Sequence, residues 1–152
     1  MKNLVVLGVL VAVGTGILIG SQATLTTRSS TLVGPFKTGM MMTLSSGAVG
    51  LLVSFIVLAL NRQPVWDMPA RTMGMLFIAG ALGVIIVVGM AFALGQVGVT
   101  AGLASILLGQ MLVSVLADAL GWGTGQPIPV TASRILGLGV LALAVYLLVP
   151  RQ

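Results

Sequence analysis

Apolar residues fall into five long runs, approximately Leu4–Thr24, Thr38–Leu60, Met73–Leu94, Val99–Leu120 and Ser133–Val149. Polar and turn-forming positions collect between them. A helix that crosses the hydrocarbon core takes about 20 mostly apolar residues. The pattern therefore predicts an all-α integral membrane protein with five transmembrane helices in one domain over residues 1–152. Gly34-Pro35 closes a polar segment, Thr26–Thr31, and puts proline at the first turn of the second helix. Gly95-Gln96-Val97-Gly98 predicts a tight turn that makes the third and fourth helices antiparallel neighbours. A Gly/Pro loop, Gly121–Val130, precedes the fifth helix, which Thr131 or Ser133 can cap. No tandem repeat is visible.

Composition strengthens this picture. The 152 residues are 58% hydrophobic and 6% charged, with mean hydropathy +1.21, far from the balance of a soluble domain. Five spans use about two thirds of such a chain and leave no room for a soluble domain. Lys2 and the apolar run before Ser21-Gln22-Ala23 imitate a secretory signal. The run is longer than a signal's apolar core, so it reads as a span. The net charge of +5 fits anchoring at anionic headgroups. The basic residues stand singly and without interleaved aromatics, which excludes nucleic acid as a partner. Trp66, Trp122 and Tyr146 suit the interfacial aromatic belt. The chain has no cysteine, histidine or glutamate. Disulfides, most metal sites and nearly every general acid or base are thereby removed, so no enzyme, cofactor or metal is expected.

An odd number of spans puts the chain ends on opposite sides of the membrane. Lys2, Arg62, Arg71 and Arg134 then share one side, and Arg28, Lys37 and Arg151 the other. Lys/Arg excess orients a membrane chain, and an excess of one is a weak instruction. A chain that inserts either way can pair antiparallel with a second copy of itself. The expectation is half of an inverted-repeat transporter in the inner or plasma membrane of a prokaryote.

Polar groups inside lipid are costly and usually face the protein interior or a wet cavity. Gln110, Ser114 and Asp118 recur every fourth residue, along one stripe from the middle of the fourth span towards one mouth. Gln22 shares a face of the first span with Thr15. A hydrophilic path lined by Gln22, Gln110, Ser114 and Asp118 is the functional reading; the plainer one is an interhelical hydrogen bond from Gln110. Thr43 and Ser46 in the second span are further candidate solute contacts. Asp118 is the only carboxylate near a span, since Asp67 lies in a loop. It is the candidate for proton or ion coupling, and it can also pair with Arg134 or Arg62. Arg28 is a candidate anion contact or topology determinant. Met40-Met41-Met42 reads as cavity lining or as lipid-facing filler. Gly16 and Gly20, in a GxxxG, together with Gly80, Gly83 and Gly109, are candidate helix-packing positions.

From Gly98 to Leu148 the chain resembles the YdcZ-like family of the drug/metabolite transporter superfamily. The resemblance rests on Leu108-Gly109-Gln110, Ser114, Asp118, Gly121, Pro129, Arg134 and Gly137, with Gly80-Ala81-Leu82-Gly83 and Gln22 upstream. It implies a five-span half-transporter that assembles as an antiparallel homodimer, or with a paralogous half, around a small-molecule solute. The family tends to follow the first-span Gln with an Asn before a basic residue; here Thr26-Thr27-Arg28 stands there. The family's polar residue in span two is represented by Thr43, Ser45 and Ser46. The four-span small multidrug resistance relatives carry a carboxylate in the middle of span one. This chain has none, so exchange of a cation for protons in their manner is not expected. The favoured solute is a small polar or amphipathic metabolite, neutral or anionic. The rival readings are a non-transporting membrane scaffold or assembly subunit, and a passive channel.

Overall fold

The computed structural model describes residues 2–61, 67–122 and 125–150. Arg62, Trp66 and Arg151 lie outside the described residues. Among those described, the regular structure is entirely helical: α1 (Lys2–Val33), α2 (Pro35–Asn61), α3 (Ala70–Val97), α4 (Val99–Ala119) and α5 (Ala132–Leu148). Helices α1 to α4 contain spans long and apolar enough to cross a membrane. Helix α5 is apolar but only 17 residues long, a rise of about 26 Å, at the lower limit for a span.

Two expected boundaries move. Thr26–Thr31 is not a connection, because α1 runs through it to Val33. Three of the hydroxyls there find partners while the backbone stays helical. Thr31 Oγ1 donates to the Arg28 carbonyl at 2.7 Å, and Thr26 and Ser30 donate to neighbouring helices. The helix stops only at Gly34, whose φ of +88° suits glycine. Pro35 then opens α2 as expected. Likewise Gly95–Val97 belongs to α3, and the turn contracts to Gly98 alone, at φ +83°.

The chain forms two compact units, Leu25–Phe92 and Met1–Thr24 with Ala93–Gln152. In the first, the end of α1, α2 and most of α3 meet around small and polar residues. Thr26, Ser30, Thr38, Gly39 and Ala91 are buried. Thr26 Oγ1 donates to Met42 Sδ at 3.2 Å, and Ser30 Oγ to the Ala91 carbonyl at 2.9 Å. A Cβ on Gly39 would lie 2.8 Å from Val88 Cα, so glycine is what lets α2 and α3 touch. In the second unit, Gly102 packs on the fully buried Leu94 at the α3–α4 joint; an added Cβ would meet Leu94 Cδ1 at 3.0 Å. Helices α4 and α5 pack against each other. Among the described residues only Ala23, Ala91, Leu94 and Ala101 are buried hydrophobics. Nearly all large apolar side chains point outwards, where lipid is their solvent.

Candidate functional site

The α4–α5 connection is built to hold two charges together. Helix α4 ends in the Schellman pattern. Trp122 N–H donates to the Ala117 carbonyl at 2.9 Å, and Gly121 N–H to that of Asp118 at 3.1 Å. Gly121 sits at φ +69°, and a Cβ there would also lie 3.0 Å from Pro127 N. The loop folds back, so Ile128 N–H reaches the same Asp118 carbonyl at 2.8 Å. Thr131 then caps α5, its Oγ1 accepting from Arg134 N–H at 3.4 Å. Arg134 is thereby fixed in the first turn of α5, opposite the last turn of α4. Its Nη1 donates to Asp118 Oδ2 at 3.1 Å, with both side chains 35% exposed.

Each charge of this pair opposes its own helix: Asp118 lies at the C-terminal end of α4 and Arg134 at the N-terminal end of α5. Each is favoured by the neighbouring terminus, since a helix N-terminus attracts anions and a C-terminus cations. The pair is therefore an interhelical device. It closes one end of a groove of about 420 Å³ lined by Met111, Ser114, Val115, Gly137, Leu138 and Leu141. The walls are apolar and the polar groups gather at the end occupied by the ion pair.

Of the stripe read from the sequence, Ser114 and Asp118 line this groove and Gln110 lies one turn away on α4. Ser114 Oγ donates to the Gln110 carbonyl at 2.8 Å. The same back-bond to the carbonyl four residues earlier satisfies Thr15, Ser21, Thr43, Ser45, Ser54 and Ser105. An amide has no such local solution. Gln110 is exposed at the middle of α4, and its amide makes no hydrogen bond within the described residues. Gln22 is exposed in the same unit as α4. Thr43, Ser46 and Arg28 belong to the other unit, where Ser46 and Arg28 are exposed and Thr43 is half-buried. Met40 lines a second, apolar groove with Phe36 and Val84, while Met42 receives the Thr26 hydroxyl.

The candidate packing glycines make no close approach within their own units. A Cβ at Gly16, Gly20, Gly80, Gly83 or Gly109 would meet nothing within 4 Å. The close approaches fall at Gly39 and Gly102, which spacing alone did not single out.

Over residues 7–147 the sequence matches a family described as "Putative inner membrane exporter, YdcZ". The chain belongs to the YdcZ family. It is accordingly a multi-pass inner-membrane protein of the transporter class, which is not an enzyme class. Curated proteins and solved structures yield no match. The YdcZ match spans α1 to α5 and includes the whole α4–α5 groove with its ion pair.

Proposed function

We propose that this YdcZ protein is a secondary transporter that exports a small polar or amphipathic solute by alternating access. Two copies, inserted in opposite orientations, or one copy and a paralogous half, would complete a ten-helix inverted repeat. Inverted-repeat transporters bind near the bilayer midplane, where the repeats meet. In this reading Gln110, Gln22 and Ser114 contribute the solute contacts, and Asp118 with Arg134 forms the charged end of the path.

The observation that carries the reading is the Gln110 amide, exposed at mid-helix and without a hydrogen bond among the described residues. Left unsatisfied in an apolar medium, an amide costs about 2–7 kcal/mol. Water, a solute or a second chain must therefore meet it. Ser114 and Ser105 of the same helix bond back to carbonyls four residues earlier and carry no such demand. The near balance of basic residues across the membrane supports dual insertion.

The test is solute efflux from cells, or uptake into proteoliposomes, with Gln110→Leu beside wild type. Loss of flux with the assembly state preserved on size exclusion is the expected outcome. Unchanged flux would sink Gln110 as a binding residue. Flux without saturation would favour a channel, and no flux in the wild type would favour a scaffold.

A further inference from the structure

The α4–α5 groove points to the chemical class of the solute. We propose that it binds an amphipathic anion, with the anionic head on Arg134 in place of the Asp118 carboxylate. The apolar body lies along Met111, Val115, Leu138 and Leu141. This deepens the transporter reading above and rests on it. Three observations support it.

The first is the incompleteness of the ion pair. Arg–carboxylate pairs are frequently bidentate, which adds energy and geometric specificity. Here a single contact, Nη1 to Oδ2, is made. A guanidinium presents five N–H donors and stays charged at every working pH. Among the described residues Arg134's side chain spends its donors on no other group, and it is about one third exposed, on the groove. A fixed cation with spare donors, held by a partner that can turn away, is a receptor occupied by an internal ligand.

The second is an asymmetry between the two helix ends that flank the pair. Of the last four carbonyls of α4, three are taken: Leu116 by Leu120 N–H, Ala117 by Trp122 N–H, and Asp118 by Gly121 and Ile128 N–H. Among the described residues only that of Ala119 is left for a cation. At α5, Thr131 caps Arg134 N–H, which leaves Ala132 and Ser133 N–H without an acceptor inside the helix. An anion on Arg134 therefore adds the positive end of α5 to the guanidinium. A cation on Asp118 meets a C-terminus whose carbonyls are mostly taken, so its second term is the smaller one.

The third is shape. From Arg134 to Leu141 is two turns of α5, about 10 Å, and the wall beyond the pair is apolar. Gly137 keeps the groove floor free of side chain; a Cβ there would meet nothing within 4 Å. The site suits one charged head and one short apolar chain, such as that of octanoate.

The experiment is equilibrium dialysis of radiolabelled octanoate against the full-length protein in detergent, with protein-free micelles subtracted. Octylammonium is the cationic control. The wild type is expected to bind octanoate saturably and octylammonium not at all. Arg134→Gln should weaken octanoate by about tenfold or more. Arg134→Lys, which keeps the charge and loses the fork, should fall between the two. Asp118→Asn removes the internal competitor and should bind octanoate at least as tightly as wild type. The idea fails if octylammonium binds instead, if octanoate shows no saturation, or if Asp118→Asn weakens octanoate as much as Arg134→Gln. The last result would make the pair a structural clamp. Should Arg134→Gln not fold, Arg134→Lys and Asp118→Asn still decide, since only a competitor's removal leaves binding intact or stronger. Saturable octanoate binding without flux of any solute would overturn the transporter reading and leave the anion site. Flux of other solutes without octanoate binding would overturn the anion site alone.

Discussion

At the scale of residues, what matters is which polar or small group has a local answer. Many Ser and Thr within the helices bond back to the carbonyl four residues earlier and become tolerable in lipid. Gln110 cannot, and for that reason its candidacy was legible in the sequence. Thr26 and Ser30 were not legible as interhelical donors, because a hydroxyl can bond backwards or sideways and only the neighbouring helix decides. The glycines pose the same problem more sharply. Gly39 and Gly83 both lie inside apolar helices, yet a Cβ at Gly39 collides with the Val88 backbone while one at Gly83 meets open space. Gly39→Ala should therefore destabilise the protein by about 1–3 kcal/mol, seen as a lower thermal midpoint in detergent. Gly83→Ala in the same assay should leave that midpoint nearly unchanged. Equal effects at the two positions would show that the α2–α3 approach is not where the helices are held.

At the scale of elements, the joints decide the site. The five apolar runs located all five helices, since hydrophobic length is a strong signal. The ends of α1 and α3 were less legible. A run of Thr and Ser reads as a loop by composition, yet it continues a helix when hydroxyls such as those of Thr26, Ser30 and Thr31 find a carbonyl or a sulfur. The α4–α5 joint illustrates how a loop prepares chemistry. Gly121 carries φ +69° and also lies against Pro127, whereas Gly125 carries φ +76° in open space. Gly121→Ala should cost more than the roughly 1–2 kcal/mol of left-handed strain alone, and Gly125→Ala about that strain and no more. Thermal melts of the two variants check the ordering. If Gly125→Ala were the more damaging, the fold-back of the loop onto Asp118 would not be what anchors the ion pair. Thr131→Ala removes the α5 cap and should cost about 1 kcal/mol, lowering the melting midpoint without removing the charge pair.

At the scale of the whole molecule, the chain has little core of its own. Its buried hydrophobics among the described residues are few, three alanines and Leu94, and most of its large apolar side chains are exposed. In lipid, helix association comes from close packing and hydrogen bonds more than from hydrophobic burial. Gly16, Gly20, Gly80, Gly83 and Gly109, open within their own units, are thus free to serve in an assembly. The near balance of Lys and Arg was legible at a glance and carries the largest claim, that two copies insert in opposite senses. The most direct test uses the absence of native cysteine. One cysteine is added after Gln152, the chain is expressed alone in cells with intact membranes, and a membrane-impermeant maleimide is applied. The account predicts that about half the molecules label from outside and the rest only after permeabilisation, as expected of a weak charge bias. Labelling from one side alone, in cells where the protein transports, would contradict the antiparallel pair.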